Sequence, residues 1–170
     1  ARLHMPGHKG TGPLGFERWD ITEIAGADAL YEADGIIAQS EQNAAQLFGS
    51  AATYYSTEGS SQCIRAMLHL AVLNGQNGGE RPLILAARNA HKAFLYACAL
   101  LDLEVSWLWP QPGPQAALWS CPVSAHQLET ALSALPRTPA AVYITSPDYL
   151  GQTADIAALA AVCHRFGTLL

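Results

Sequence analysis

From residue 82 onward the chain alternates short apolar runs with amphipathic segments at a spacing of about 25–30 residues, and this constrains the fold more than anything else in it. Residues 82–87 (with Leu83, Ile84 and Leu85) carry no polar interruption, as expected of a strand in a parallel sheet covered on both faces. Residues 104–109 and 140–145 read as further strands, and 51–55 as a short strand-like run. Between them lie helical patterns. Cys63, Ile64, Met67, Leu68, Ala71 and Val72 recur with helical spacing over 60–73, which Asn74-Gly75 ends. Residues 90–101 read as a helix. Ser124 to Gln127 has the form of a capping box, ahead of a face of Leu128, Ala131, Leu132 and Leu135. Thr153 is placed to cap a helix with Asp155 in its first turn and Ile156, Leu159, Ala160 and Cys163 as its core face; Gly167 ends it, and Thr168-Leu169-Leu170 begins another strand. Repeated strand–helix order implies βαβ units. The expectation is an α/β fold, three layers (α/β/α) around a mostly parallel sheet with right-handed crossovers.

Residues 1–43 differ in kind. Pro6, Gly7, Gly10, Gly12, Pro13, Gly15, Gly26 and Gly35 punctuate them, so an extended arm with short helices is expected, and the domain proper runs from 44 to 170. A short helix is expected over 40–48, capped by Ser40 and stopped by Gly49.

Half the residues are apolar and only 14% are charged. Such a surface fits strands buried on both sides, or faces that pack against more protein. A net charge of −5 without a basic run argues against a nucleic-acid partner. No apolar stretch reaches the ~18 residues of a membrane span. Cys63, Cys98, Cys121 and Cys163 lack CxxC spacing and read as reduced thiols of a cytoplasmic protein. Gly10-x-Gly12-x-x-Gly15 matches the dinucleotide fingerprint in letters only, because no strand precedes it and Pro13 interrupts it. His4 and His8 flank Pro6 and Gly7, which excludes a helical metal pair; no metal is expected.

Parallel sheets bind ligands at the carboxyl ends of their strands. Two such ends stand out. Ser56-Thr57-Glu58-Gly59-Ser60-Ser61 is a small-residue turn that opens a helix and offers backbone N–H groups, hydroxyls and the positive helix end to a phosphate. Ala87-Arg88-Asn89-Ala90-His91-Lys92 ends a strand and presents an imidazole at the next helix start. Taken singly, the first could be an ordinary serine cap and the second a satisfied polar residue. Together they suit a flat, phosphorylated aromatic cofactor, for which pyridoxal phosphate is the candidate.

With these residues laid out, the chain resembles the major domain of the bacterial ornithine/lysine/arginine decarboxylases. The resemblance rests on His4-Met5-Pro6-Gly7-His8-Lys9-Gly10, on Asp20-Ile21-Thr22-Glu23, and on Phe48-Gly49. It continues through Thr53-Tyr54-Tyr55-Ser56-Thr57-x-Gly59-Ser60-Ser61 and Ala87-Arg88-Asn89-x-His91-Lys92. It ends with Ile144-Thr145-Ser146-Pro147-x-Tyr149-x-Gly151 and Asp155-Ile156. It implies a partial large domain of the pyridoxal-phosphate-dependent transferase fold (fold type I). Gly59, Ser60 and Ser61 are implied to hold the cofactor phosphate. His91 is implied to stack on the pyridine ring, the one catalytic role assigned, with Thr145, Ser146 and Pro147 beside the cofactor. The 4–9 segment with Asp20 and Glu23 is implied to lie near the active site or a subunit contact. A basic amino-acid substrate (lysine, ornithine or arginine) and a homodimer or higher homo-oligomer are implied as partners.

Two residues depart from the family pattern: Glu58 stands where asparagine is usual, and Asp148 where threonine is common. In the family, the strand opening at Thr168 leads to an aspartate that pairs with the pyridine nitrogen, and a later histidine–lysine pair supplies the Schiff-base lysine. Neither is among these 170 residues, and Lys92 belongs to the stacking motif. The expectation is therefore a fragment or remnant that does not turn over alone and that leaves apolar faces uncovered. The competing readings are a non-catalytic domain for a phosphorylated ligand or for assembly, and a related aminotransferase.

Overall fold

The computed structural model describes residues 3, 5–21, 24–75, 79–110 and 120–170. His4, Thr22 and Glu23 of the expected arm, and most of the 110–122 loop, lie outside the described residues. The chain forms two compact units, Ala1–Thr57 and Glu58–Leu170.

In the second unit, strands β1 (Leu83–Ala87), β2 (Glu104–Leu108) and β3 (Ala141–Tyr143) form one sheet in the order β2-β1-β3. Both pairings are parallel, with Ala87 opposite Leu108 and Ile84 opposite Ala141. Beyond β3 the chain returns at Leu169, whose carbonyl accepts the Val142 N–H at 2.8 Å. The expected strand at 168–170 is thus present as a single bridge.

Alternation along the strands sorts the core into two clusters. Ile84, Ala86 and Ala141 face helices α2 (Gly59–Asn74) and α3 (Lys92–Leu100), where they meet Ile64, Leu68 and Phe94. Leu85, Ala87, Leu108 and Val142 face helices α4 (Ala125–Ala134) and α5 (Ile156–Arg165), where they meet Leu128, Leu132, Leu159 and Cys163. This is the expected three-layer arrangement. All five residues of β1 are buried, which explains the absence of a polar letter in that strand. Phe94 is fully enclosed, with Tyr143 4.5 Å and Trp107 5.9 Å from its ring centre. Burying such a side chain is worth about 1.5–3 kcal/mol.

Several local expectations are corrected. Residues 51–55 form no strand: the Tyr55 N–H donates to the Glu41 carboxylate at 3.0 Å, and the backbone finds no ladder partner. The first helix, α1, spans Ile36–Phe48, so Ser40 lies inside it and bonds the Tyr55 hydroxyl rather than capping. Its true cap comes from upstream. The Asp28 carboxylate accepts the N–H groups of Gly35, Ile37 and Ala38 on one oxygen, and those of Ala29 and Asp34 on the other. Gly49, at φ 64°, closes the far end as expected. In α5 the cap is Asp155, which accepts the Ala158 N–H at 3.0 Å, and not Thr153. Ile156 is exposed, and Val162 takes its place in the core. At α4 only half the capping box forms: Ser124 accepts the Gln127 N–H, but the Gln127 amide donates to the Trp109 carbonyl. On α2, Cys63 and Met67 are exposed while Ile64, Leu68 and Ala71 are buried, so its apolar face is wider than the core it meets.

Candidate functional site

The crossover through α3 runs on one face of the sheet and that through α4 on the other. Helix α5, which follows β3, shares the face of α4, so the chain leaves β1 and β3 toward opposite faces, and the gap between their carboxyl ends is the switch point of the topology. Open α/β sheets place ligands in that crevice. A hollow of about 560 Å³ lies elsewhere. It is lined by Asn74 and Gly75 at the end of α2, Leu83 at the start of β1, and Pro139 and Ala140 at the start of β3. That hollow marks the amino edge of the sheet, so the opposite end of α2, with Gly59, Ser60 and Ser61, lies toward the carboxyl edge. Asn89–His91 follow β1 and Thr145–Pro147 follow β3, so these three groups of expected site residues share one edge.

Helix α2 begins differently from its neighbours. Helices α3, α4 and α5 are capped by the side chains of their N-cap residues, His91, Ser124 and Asp155, whereas Glu58, the N-cap residue of α2, makes no such bond. Gly59 holds φ at +66°, a conformation that side chains strain to adopt. Glu58, the departure from the family pattern, turns along the helix and pairs with Arg65. Its charge is answered there, which relieves the conflict with an anion at the helix start.

His91 caps α3: its Nδ1 accepts the Ala93 N–H at 3.1 Å. That bond fixes the ring's rotation and puts the neutral ring's proton on Nε2. The imidazole is half-buried. Lys92 is the first residue of α3 and exposed.

Beneath the two strand tips is a chamber of about 130 Å³, lined by Asn89, Cys121, Val123, Thr145, Asp148 and Ala154 among others. Asn89 is only 7% exposed, and its Oδ1 has no hydrogen-bond partner. A buried acceptor left open is costly unless something fills it. Ser146 accepts the Ala154 N–H through Oγ at 3.0 Å, and the Ser146–Pro147 peptide is cis. Asp148 fixes the turn that follows. It accepts the Ser120 hydroxyl at 2.7 Å and the N–H groups of Leu150 and Gln152. The Ser120 hydroxyl, foremost, and the turn amides hold its carboxyl below the usual aspartate range. Burial pushes the Cys98 thiol up to about 11 and raises Cys121 and Cys163 as well.

Sequence reasoning missed the open amide of Asn89 and the bracing role of Asp148. Asn89 sat inside a quoted motif, but only strand alternation could have sent it to the face opposite Trp107. In the first unit, His8 Nε2 pairs with Asp20 at 3.0 Å while its Nδ1 accepts the Gly10 N–H. These arm residues form a turn of their own.

The sequence model of the family described as "Orn/Lys/Arg decarboxylase, major domain" matches residues 15–170. Arginine decarboxylase of Halalkalibacterium halodurans is 28% identical over 96% of this chain and 34% of its own length. Arginine decarboxylase of Bacillus subtilis is 28% identical over 98% and 34%, and the B. subtilis protein YaaO is 30% identical over 97% and 35%. The chain thus spans about a third of the length of these curated relatives. Among solved structures, the constitutive lysine decarboxylase of E. coli superposes with a TM-score of 0.63 at 20% identity, covering 88% of this chain and 23% of that one. Mouse CSAD in its apo form gives 0.60 at 17%, covering 81% and 32%. At these identities the structural likeness establishes the fold.

Proposed function

The chain belongs to the Orn/Lys/Arg decarboxylase family, and from that premise we propose that it carries one half of a pyridoxal-phosphate site in a basic amino-acid decarboxylase. The observation that supports this most is the start of α2. It opens on a left-handed glycine followed by two serines, and the Glu58 carboxylate beside it pairs with Arg65. The residues fit a phosphate there.

In this reading the amides and hydroxyls of Ser60 and Ser61 hold the phosphate, and Gly59 lets the backbone turn toward it. A charge-assisted bond of this kind is worth about 1.5–3 kcal/mol. His91, its rotation fixed by the Ala93 amide, offers its ring to the pyridine. Thr145, Ser146 and Pro147 border the cofactor from the β3 side. When bound, pyridoxal phosphate supplies the electron sink for the pair left on the α-carbon as carbon dioxide departs. Residues 44–170 then form the N-terminal part of the cofactor domain, and 1–43 an arm that precedes it. The native protein is a cytoplasmic homo-oligomer acting on lysine, ornithine or arginine. Of the chain's two lysines, neither Lys9 nor Lys92 matches the family's cofactor-linking lysine, so the 170 residues expressed alone hold cofactor weakly and release no carbon dioxide.

The test is carbon dioxide release by the native polypeptide with saturating pyridoxal phosphate and each of the three amino acids. Release from one of them above the free-cofactor rate is expected. No release from any, with phosphate-dependent cofactor capture retained, would favour a binding domain and overturn the decarboxylase reading.

A further inference from the structure

Five arginines lie in the second unit, and four of them meet carboxylates: Arg65 with Glu58, Arg81 with Asp102, Arg137 with Glu80 and Glu104, Arg165 with Glu129. Arg88 meets none among the described residues. Its guanidinium carbon stands 5.2 Å from the ring centre of Trp107 and 5.6 Å from that of Trp109. In a chain with 14 acidic and 9 basic side chains, an arginine does not go unpaired for want of partners. A cation–π contact engages the charge of the guanidinium and uses no N–H donor in a hydrogen bond to a carboxylate. Two indoles also fix the group before any ligand arrives, so less ordering is lost on binding.

The position adds a second argument. Arg88 is exposed, immediately follows β1 and precedes His91 by three residues. Trp107 packs with the α2–α3 cluster, so the guanidinium stands on the sheet face that carries the His91 and Ser60 helices, over the edge strand β2. A rigid fork of donors matches a planar carboxylate. A phosphate is already provided for at α2.

We propose that Arg88, clamped by Trp107 and Trp109, is a specificity-determining residue that receives the carboxylate of an amino-acid ligand. This rests on reading the carboxyl edge as a site for cofactor and amino acid. It gives Arg88 a role in a chain where it makes no ion pair among the described residues.

The test uses the native polypeptide loaded with pyridoxal phosphate and two probes that cannot be decarboxylated, 6-aminohexanoate and pentylamine; both are primary amines, so any imine formed with the cofactor is common to the two, and they differ by the carboxylate. Calorimetry should show 6-aminohexanoate binding about tenfold to a hundredfold more tightly. Arg88→Gln should abolish that preference, and Arg88→Lys, which keeps the charge without the fork, should retain part of it. Pyridoxal phosphate affinity should be unchanged in both. If either variant still captures cofactor and discriminates the probes as the parent does, the Arg88 assignment is wrong and the cofactor reading stands. If Arg88→Gln instead loses its preference for pyridoxal phosphate over pyridoxal, the arginine serves the phosphate and the assignment is again wrong. If the native polypeptide captures no pyridoxal phosphate at all, the underlying reading fails and the assignment falls with it.

Discussion

The two units of this chain are held together by different physics. Residues 58–170 enclose two apolar clusters, one on each face of a parallel sheet. Residues 1–57 have almost no buried apolar side chain. Helix α1 buries none of its thirteen residues, and the one buried residue among those described is a carboxylate, Glu17. Order there comes from polar hubs: Asp28 gathers five backbone N–H groups, Glu17 accepts the Leu14 N–H, and His8 bridges Asp20 and the Gly10 amide. Hydrogen bonds of this kind contribute little net, because water competes for the same groups and ordering the chain opposes them. The comparison teaches that the first unit holds its shape by directional bonds at a few sites, and the second by area.

The contrast breaks first if the second unit does not depend on its clusters. Phe94→Ala removes a fully buried ring between Tyr143 and Trp107 and should cost about 3–5 kcal/mol in denaturant unfolding of that unit. A loss under 1 kcal/mol would mean that the aromatic cluster is not its centre.

Next in size is the Asp28 hub. Asp28→Ala should raise hydrogen exchange at Gly35, Ile37 and Ala38 and leave the β1 amides protected. Equal loosening of both units would show that they are not independent in this respect. Because the backbone N–H groups, that of Asp34 foremost, depress the Asp28 carboxyl, its folded pKa lies below the unfolded one. Its contribution is therefore full above the ordinary aspartate range and is lost as pH falls below about 4 toward the depressed value. Acid should release the α1 amides in the parent and change little in the variant.

The smallest effect concerns thiols. Cys98, Cys121 and Cys163 lie in the second unit's interior while Cys63 is exposed. A thiol reagent should modify one cysteine rapidly and three only on unfolding. Two or more fast thiols would show the clusters to be looser than described.

The same contrast governs what could be read from sequence. The second unit was legible because burial writes itself as periodicity: the letters of 83–87 announced a two-faced strand, and Leu128 and Leu132 announced α4. The first unit was not, because its hubs act across gaps that have no period. Asp28 reaches Ala38 ten residues on, and nothing in the sequence marks it as the cap of a helix whose own start is Gly35. The run 51–55 has strand letters but no strand beside it, so propensity lost to context. At the candidate site, turn chemistry singles out Gly59, Ser60, Ser61 and His91 as proposed cofactor contacts. It does not reveal the capping bond of His91 to Ala93, since histidine is rarely the residue expected there.

That capping bond bears directly on the central claim, that the carboxyl edge of the sheet receives pyridoxal phosphate with His91 against its ring. His91 has two separable duties, a cap and a ring. Asparagine keeps a cap without an aromatic face, and phenylalanine keeps the face without the cap. Pyridoxal phosphate titration of the native polypeptide, carried out alongside thermal unfolding, separates them. The account predicts that His91→Phe loses stability by about 0.5–2 kcal/mol yet holds cofactor within a few-fold of the parent. His91→Asn should keep its stability and bind cofactor roughly threefold to tenfold more weakly. Unaltered cofactor affinity in His91→Asn would contradict it and leave His91 as a helix cap alone.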